Sequence, residues 1–133
     1  MKAIILILIS LGLFISMYAQ QVADTAYKPV IHDPAYEPGK GPVVYIDEGH
    51  HNFHTKEGRY KAFSNLVKRD GYVVKGYKGE FEKTKLREGK ILVISNALHE
   101  HNVQDWTLPN PSAFKGPEIE TVRQWVFDGG SLF

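Results

Sequence analysis

Apolar residues along this chain change their spacing several times, and each change marks an element. PVVYID (42–47) is a short unbroken run rich in β-branched and aromatic side chains, as a strand buried on both faces requires. In TKEGRYKAFSNLVKRDG (55–71), Tyr60, Phe63, Leu66 and Val67 recur at helical spacing. Lys68 and Arg69 suit the last turn of that helix and Gly71 its stop, while Thr55 is placed to cap its start. YVVKGY (72–77) reads as a second strand, EFEKTKLREG (80–89) as a short helix or turn, and KILVISNA (90–97) as a third strand. GPEIETVRQWVFDGG (116–130) predicts a second long helix, with Pro117 in its first turn and Glu118 and Glu120 near the positive end of its dipole. Ile119, Val122, Trp125 and Val126 form its apolar stripe, Gly129 and Gly130 end it, and Ser131-Leu132-Phe133 opens a fourth strand.

Strands alternating with amphipathic helices indicate an α/β fold, a parallel sheet in three layers with helices on both faces. Right-handed crossovers give 2-1-3-4 as the simplest strand order. Such flavodoxin-like sheets bind ligands where the chain leaves the central strands in opposite directions, beyond their carboxyl ends. The loops that would meet there follow strands one and three.

The N-terminus changes the setting. Lys2, the apolar run AIILILISLGLFISM and the small residue Ala19 predict a signal peptide over 1–19; the run falls short of the ~20 residues of a spanning helix. Export, to a periplasmic or extracellular site, is therefore expected, with no membrane span after cleavage. Residues 20–41 carry Pro29, Pro34 and Pro38 without apolar periodicity and read as a leader on the domain surface. The domain occupies 42–133, and the half-strand at its end predicts a fragment cut at strand four. The chain contains no cysteine, which excludes disulfides, thiolate metal sites, a cysteine nucleophile and a lipid-modified N-terminal cysteine. Losing Lys2 leaves 15 of the 16 Lys and Arg against 15 Asp and Glu, a neutral balance that argues against nucleic acid as a partner.

Five of the six histidines fall in the two loops that should converge, IDEGHHNFHT (46–55) and SNALHEHN (95–102). One reading places a divalent metal, zinc or iron, on Asp47, His50, His99 and His101, with Glu48 as a further ligand. Its weakness is spacing, because HEH is not H-E-x-x-H. A second reading is a metal-free crevice for a small molecule, glycan or peptide. There Asp47, Glu48, His50 and His99 would carry any acid–base chemistry, and His51, Asn52, Asn96, His101 and Asn102 would bind the ligand. In the third, the same groups cap helices and turns, Asp47 accepting backbone N–H bonds. Ser95 lacks a G-x-S-x-G setting, so a serine nucleophile is not expected. Trp106, Leu108, Pro109, Pro111 and Phe114 form an aromatic, proline-rich loop, either a lid or platform for a sugar or peptide or a segment packed on itself.

VVYIDEGHHNFHTKEGRYKAFSNLVKRDGYVV, ILVISNALHEHN and IETVRQWVFDGGSLF together resemble an uncharacterised bacterial family of exported domains whose fold is similar to class I glutamine amidotransferases. The resemblance covers 42–133. Its most specific part is the acidic-His/Asn motif after strand one with the Gly58-Arg59-Tyr60 helix opening. In the amidotransferases a Gly-rich loop follows strand three and the nucleophilic cysteine follows strand four. Here Ser95-Asn96-Ala97 ends strand three, and the strand-four turn lies beyond Phe133; in the uncharacterised family the resemblance implies an acidic-His pair at that turn. What it implies is a hydrolase-like His/Asp/Glu crevice without glutamine hydrolysis. The alternative is a non-catalytic envelope module that binds a glycan, peptide or protein.

Overall fold

The computed structural model describes residues 22–133, so the expected signal peptide lies outside the described residues. β1 (Val43–Asp47), β2 (Val73–Tyr77), β3 (Ile91–Val93) and β4 (Ser131–Leu132) form one parallel sheet in the order β2-β1-β3-β4. α1 (Lys61–Arg69) follows β1, α2 (Lys83–Leu86) follows β2, and α3 (Gly116–Phe127) precedes β4. The expected α/β class and strand order are both present.

Side chains along a strand alternate between faces, and this divides the core in two. Val44 and Ile46 of β1 join Val74 and Val93 in one cluster, packed by Tyr60 and by Val67 of α1. Tyr45 points the other way, into Tyr77, Phe81, Leu86, Leu92, Val122 and Trp125, which brings α2 and α3 against the opposite face. Fully burying each large side chain contributes roughly 1.5–3 kcal/mol, so the two clusters hold the three layers together. Asp47 is two residues beyond Tyr45 and shares its face. The last side chain of the central strand is thereby aimed at the N-terminus of α3.

Two elements differ from the sequence expectation, and the fourth strand begins where it was expected. α1 begins at Lys61 rather than near Thr55, because the chain first makes a turn in which the Thr55 carbonyl accepts from the N–H groups of Gly58 and Tyr60. β3 is shorter than 90–97, ending at Val93, and Asn96 beyond it adopts a left-handed backbone (φ 53°). β4 starts at Ser131, and its ladder runs on through bonds from Phe133 N to Leu92 O (3.0 Å) and from Ile94 N to Phe133 O (2.9 Å). The leader is tied to the α1–β2 turn: Tyr36 N donates to Asp70 O (3.2 Å), Gly41 N to Gly71 O (2.9 Å), and the Tyr36 ring meets Tyr72 edge-on. Apolar grooves of about 480 and 410 Å³ flank the β3–β4 edge; Phe63 and Phe133 line one, Ile119, Val126 and Leu132 the other. Phe63, Ile119 and Val126 are for that reason exposed instead of sealed into the core. No helix among the described residues is long and apolar enough to cross a membrane.

Candidate functional site

The carboxyl end of β1 carries a closed hydrogen-bonded cluster. Asp47 Oδ1 accepts from Gly49 N (2.9 Å), and His50 Nδ1 lies 2.9 Å from both oxygens of the same carboxylate. Asn52 Nδ2 donates to Asp47 Oδ2 at 2.7 Å. On the other side of the ring, His50 Nε2 is 2.8 Å from Glu118 Oε1, which also accepts from Phe81 N at 2.9 Å. Glu118 Oε2 accepts from Lys115 N at 3.0 Å, capping the start of α3. The imidazole therefore bridges two carboxylates, one at a strand tip and one in the first turn of a helix.

All three groups are out of solvent: Asp47 is 1 % exposed, His50 6 % and Glu118 3 %. Phe81 and Phe114 pack on the imidazole, with ring centroids 4.7 and 4.8 Å away. Buried carboxylates need a full set of donors, and each of these has one. Burial pushes the Glu118 carboxyl up, but the N–H groups of Lys115 and Phe81 and the His50 ring outweigh it and hold the carboxyl below its ordinary value. A carboxylate stands at each nitrogen of the ring, so both nitrogens are engaged and neither faces solvent. Seven hydrogen-bond contacts with backbone, amide and ring hold the two carboxylates in place.

Local backbone chemistry shapes the approach. A Cβ on Gly49 would sit 2.4 Å from Gly79 O, so only glycine lets the β1 loop pass under the β2 loop. Gly76 faces the Glu48 side chain in the same way, 2.5 Å from Oε2 to a Cβ built there. Glu48 is thus laid over β2, and its Oε1 accepts from Lys56 N at 2.7 Å, ordering the turn before α1. Its carboxylate shares no hydrogen bond with the bridge.

The remaining predicted residues divide between rim and scaffold. His51 is exposed with a left-handed backbone (φ 50°) and lines a polar cleft of about 250 Å³ together with His50, His99, Glu100 and Ser112. Leu98 N donates to His50 O (2.9 Å), stitching the two predicted loops together beside that cleft. His99 caps a short 3-10 turn, Glu100–Val103, its Nδ1 accepting from His101 N at 3.1 Å. His101 faces Asp105 at 3.8 Å on the surface. Asn96 Oδ1 accepts from Ser95 Oγ (2.9 Å), which in turn accepts from Tyr60 Oη (3.2 Å). Asn102 is buried and donates to Asp105 O at 3.0 Å.

Asp47, His50, His99 and His101 do not fit a zinc or iron ion. Both nitrogens of His50 already hold carboxylate oxygens, Nδ1 of His99 is taken by the backbone, and His101 turns outward. Among the described residues no three His, Asp or Glu side chains have the geometry to hold a metal.

Sequence reasoning missed Glu118 as a site residue. A glutamate three residues into a helix behind a proline is a legible cap signal, but the sequence alone assigns it no more than a role toward the helix dipole. Its partner His50 is 68 positions away, and only the shared face of Asp47 and Tyr45 in the folded sheet identifies it. Phe81 and Phe114, which exclude water from the bridge, were likewise visible only once the loops were placed. No protein-family model matches the chain, and neither a curated protein nor a solved structure matches it.

Proposed function

We propose that the chain is the α/β core of an exported, non-catalytic module that binds a polar small molecule, glycan or peptide in the cleft beyond β1 and β3. One observation carries this reading: the buried Asp47–His50–Glu118 bridge is internally satisfied, while exposed His51 and half-buried His99 rim the polar cleft beside it. A general base must reach a substrate proton. His50 has no free nitrogen with which to do so. A nucleophile needs a base beside it. Ser112 Oγ is engaged with Phe114 N and O, and Ser95 Oγ with Tyr60 and Asn96. The bridge instead fixes the floor, and the rim recognises.

In the same reading the sheet belongs to a class I glutamine amidotransferase-like fold, flavodoxin-like in its strand order, from the exported family that the sequence resembles. The 2-1-3-4 order and a cleft at the carboxyl ends of β1 and β3 support it.

Imidazole nuclear magnetic resonance of the full chain tests the assignment. Against a panel of neutral and acidic oligosaccharides and dipeptides, His51 and His99 should shift with at least one probe while the His50 ring signals persist. Rim histidines silent to every probe would sink the reading. So would turnover of p-nitrophenyl esters or glycosides that His50→Gln abolishes, which would restore the hydrolase.

A further inference from the structure

Trp106 is 68 % exposed and Phe53 46 %, yet neither hangs from a loose loop. Asp105, just before Trp106, is held at its carbonyl by the buried Asn102 side chain and accepts at Oδ1 from both Thr107 N (2.9 Å) and Thr107 Oγ1 (2.7 Å). The tryptophan is therefore clamped on both sides of its own backbone. Phe53 follows Asn52, which is fixed on Asp47. The two rings lie within 17° of parallel, centroids 6.4 Å apart, and the Arg59 guanidinium sits 5.3 Å from the Phe53 centroid. Arg59 takes part in none of the ion pairs among the described residues.

Collapsing large apolar rings onto the protein is the default, and burying them gains the most per residue. A braced tryptophan held outward, near-parallel to a second ring, leaves apolar area available to something else. The C–H face of a pyranose matches a flat aromatic ring, with its hydroxyls left free at the edge for polar partners. A guanidinium with no protein carboxylate beside it has the planar fork that takes a carboxylate in two hydrogen bonds. Stacking plus arginine also serves single-stranded nucleic acid. That occupant is disfavoured by the chain's near-neutral balance of 16 Lys and Arg against 15 Asp and Glu, because phosphate backbones are bound through excess positive charge.

The geometry points to an outer subsite, Phe53, Trp106 and Arg59, for a glycan bearing carboxylates, such as a chain of uronic acids. It names the ligand class of the cleft described above and rests on that cleft binding a ligand. Sugar rings stack on Trp106 and Phe53, Arg59 takes a carboxylate, and the chain continues toward His51 and His99 at the same end of the sheet.

Tryptophan emission reads this subsite directly, since the only other tryptophan, Trp125, is buried. Titrating the full chain with a galacturonate tetrasaccharide should give a saturable change in Trp106 emission. A neutral galactose tetrasaccharide should bind at least fivefold more weakly, and Arg59→Gln should erase that preference. Trp106→Ala should weaken binding of the acidic sugar at least tenfold, measured by calorimetry, with far-ultraviolet dichroism and Trp125 emission reporting that the fold is intact. Equal binding of acidic and neutral sugars, tighter binding of a short oligothymidylate, or no emission change would each overturn the inference. If the acidic sugar shifts His51 and His99 without touching Trp106, the subsite fails and the cleft reading stands. If Trp106 responds while both histidines stay silent to every probe, the cleft reading fails, and with it the assignment of this subsite to the cleft's ligand.

Discussion

Replacing Glu118 by glutamine tests the bridge with almost no change of shape. The carboxylate accepts three hydrogen bonds, from His50 Nε2, Phe81 N and Lys115 N, at 2.8–3.0 Å in a site 3 % exposed. An amide can keep its oxygen toward His50 and Phe81, but its NH₂ then confronts the Lys115 N–H and the cap is lost. The bond to the ring also loses the carboxylate's charge, and hydrogen bonds to charged groups contribute about 1.5–3 kcal/mol each. Truncation to alanine, which leaves a buried partner uncompensated, is worth about 3–5 kcal/mol. We expect Glu118→Gln to cost about 2–3 kcal/mol at pH 7, a large part of the 5–15 kcal/mol typical of a domain. Urea unfolding followed by far-ultraviolet dichroism measures it from the midpoint, provided the slope is unchanged. The pH dependence adds a second constraint. The folded carboxyl titrates below its ordinary value of 4.5, so its contribution is complete above about 4.5 and is lost as pH falls through the lower folded value. The gap between wild type and Glu118→Gln should hold from pH 7 to pH 5 and narrow below 4.5. A gap under about 0.5 kcal/mol at pH 7, the range of ordinary surface substitutions, would refute the bridge as the link between β1 and α3.

Other outcomes follow from the same geometry. Gly49→Ala puts a Cβ 2.4 Å from Gly79 O, a backbone atom that cannot step aside, and should cost about 1–3 kcal/mol in the same assay. Because the histidine-rich loops do not fit a metal, excess EDTA should leave the melting temperature unchanged, and a fall of several degrees would contradict the hydrogen-bond assignment. Burial pushes the Tyr45 and Tyr77 phenols above their ordinary value of 10.0, so in an alkaline absorbance titration two of the seven tyrosines should ionise late. Stability should correspondingly fall as pH rises past 10, where the unfolded phenols ionise and the folded ones resist.

Sheet order and layer assignment were legible because they depend on local patterning: VVYI (43–46) and ILVI (91–94) are unbroken apolar runs, and the helices between the strands are amphipathic. The convergence of the two histidine loops was legible for the same reason, given right-handed crossovers. What each side chain does within the loops was not. Glu48 and Asp47 are neighbours with the same chemistry, but strand alternation sends Asp47 toward α3 and leaves Glu48 over Gly76. His50 and His51 are identical in sequence terms, and one left-handed backbone angle separates a buried bridge from an exposed rim residue. Glu118 escaped notice because a helix cap and a site ligand look alike until the partner is in place. Phe63, Ile119 and Val126 fit a helical stripe, yet the surface they would pack against is absent among the described residues.

The bridge also has a consequence for how this cleft can change over time. Its donors and acceptors are backbone groups, Asn52 and one another, and none of its hydrogen bonds is made by the side chains of His51, His99, Trp106 or Arg59. Substitutions at the rim therefore leave the fastening of β1 to α3 intact, and recognition can drift from one ligand to another without the fold being renegotiated. Mutational libraries confined to those four positions should retain folded protein at high frequency, whereas libraries at Asp47, His50 or Glu118 should not. Tolerance and intolerance to mutation lie within a few residues of each other in this loop, separated by whether a side chain bonds to the Asp47 carboxylate.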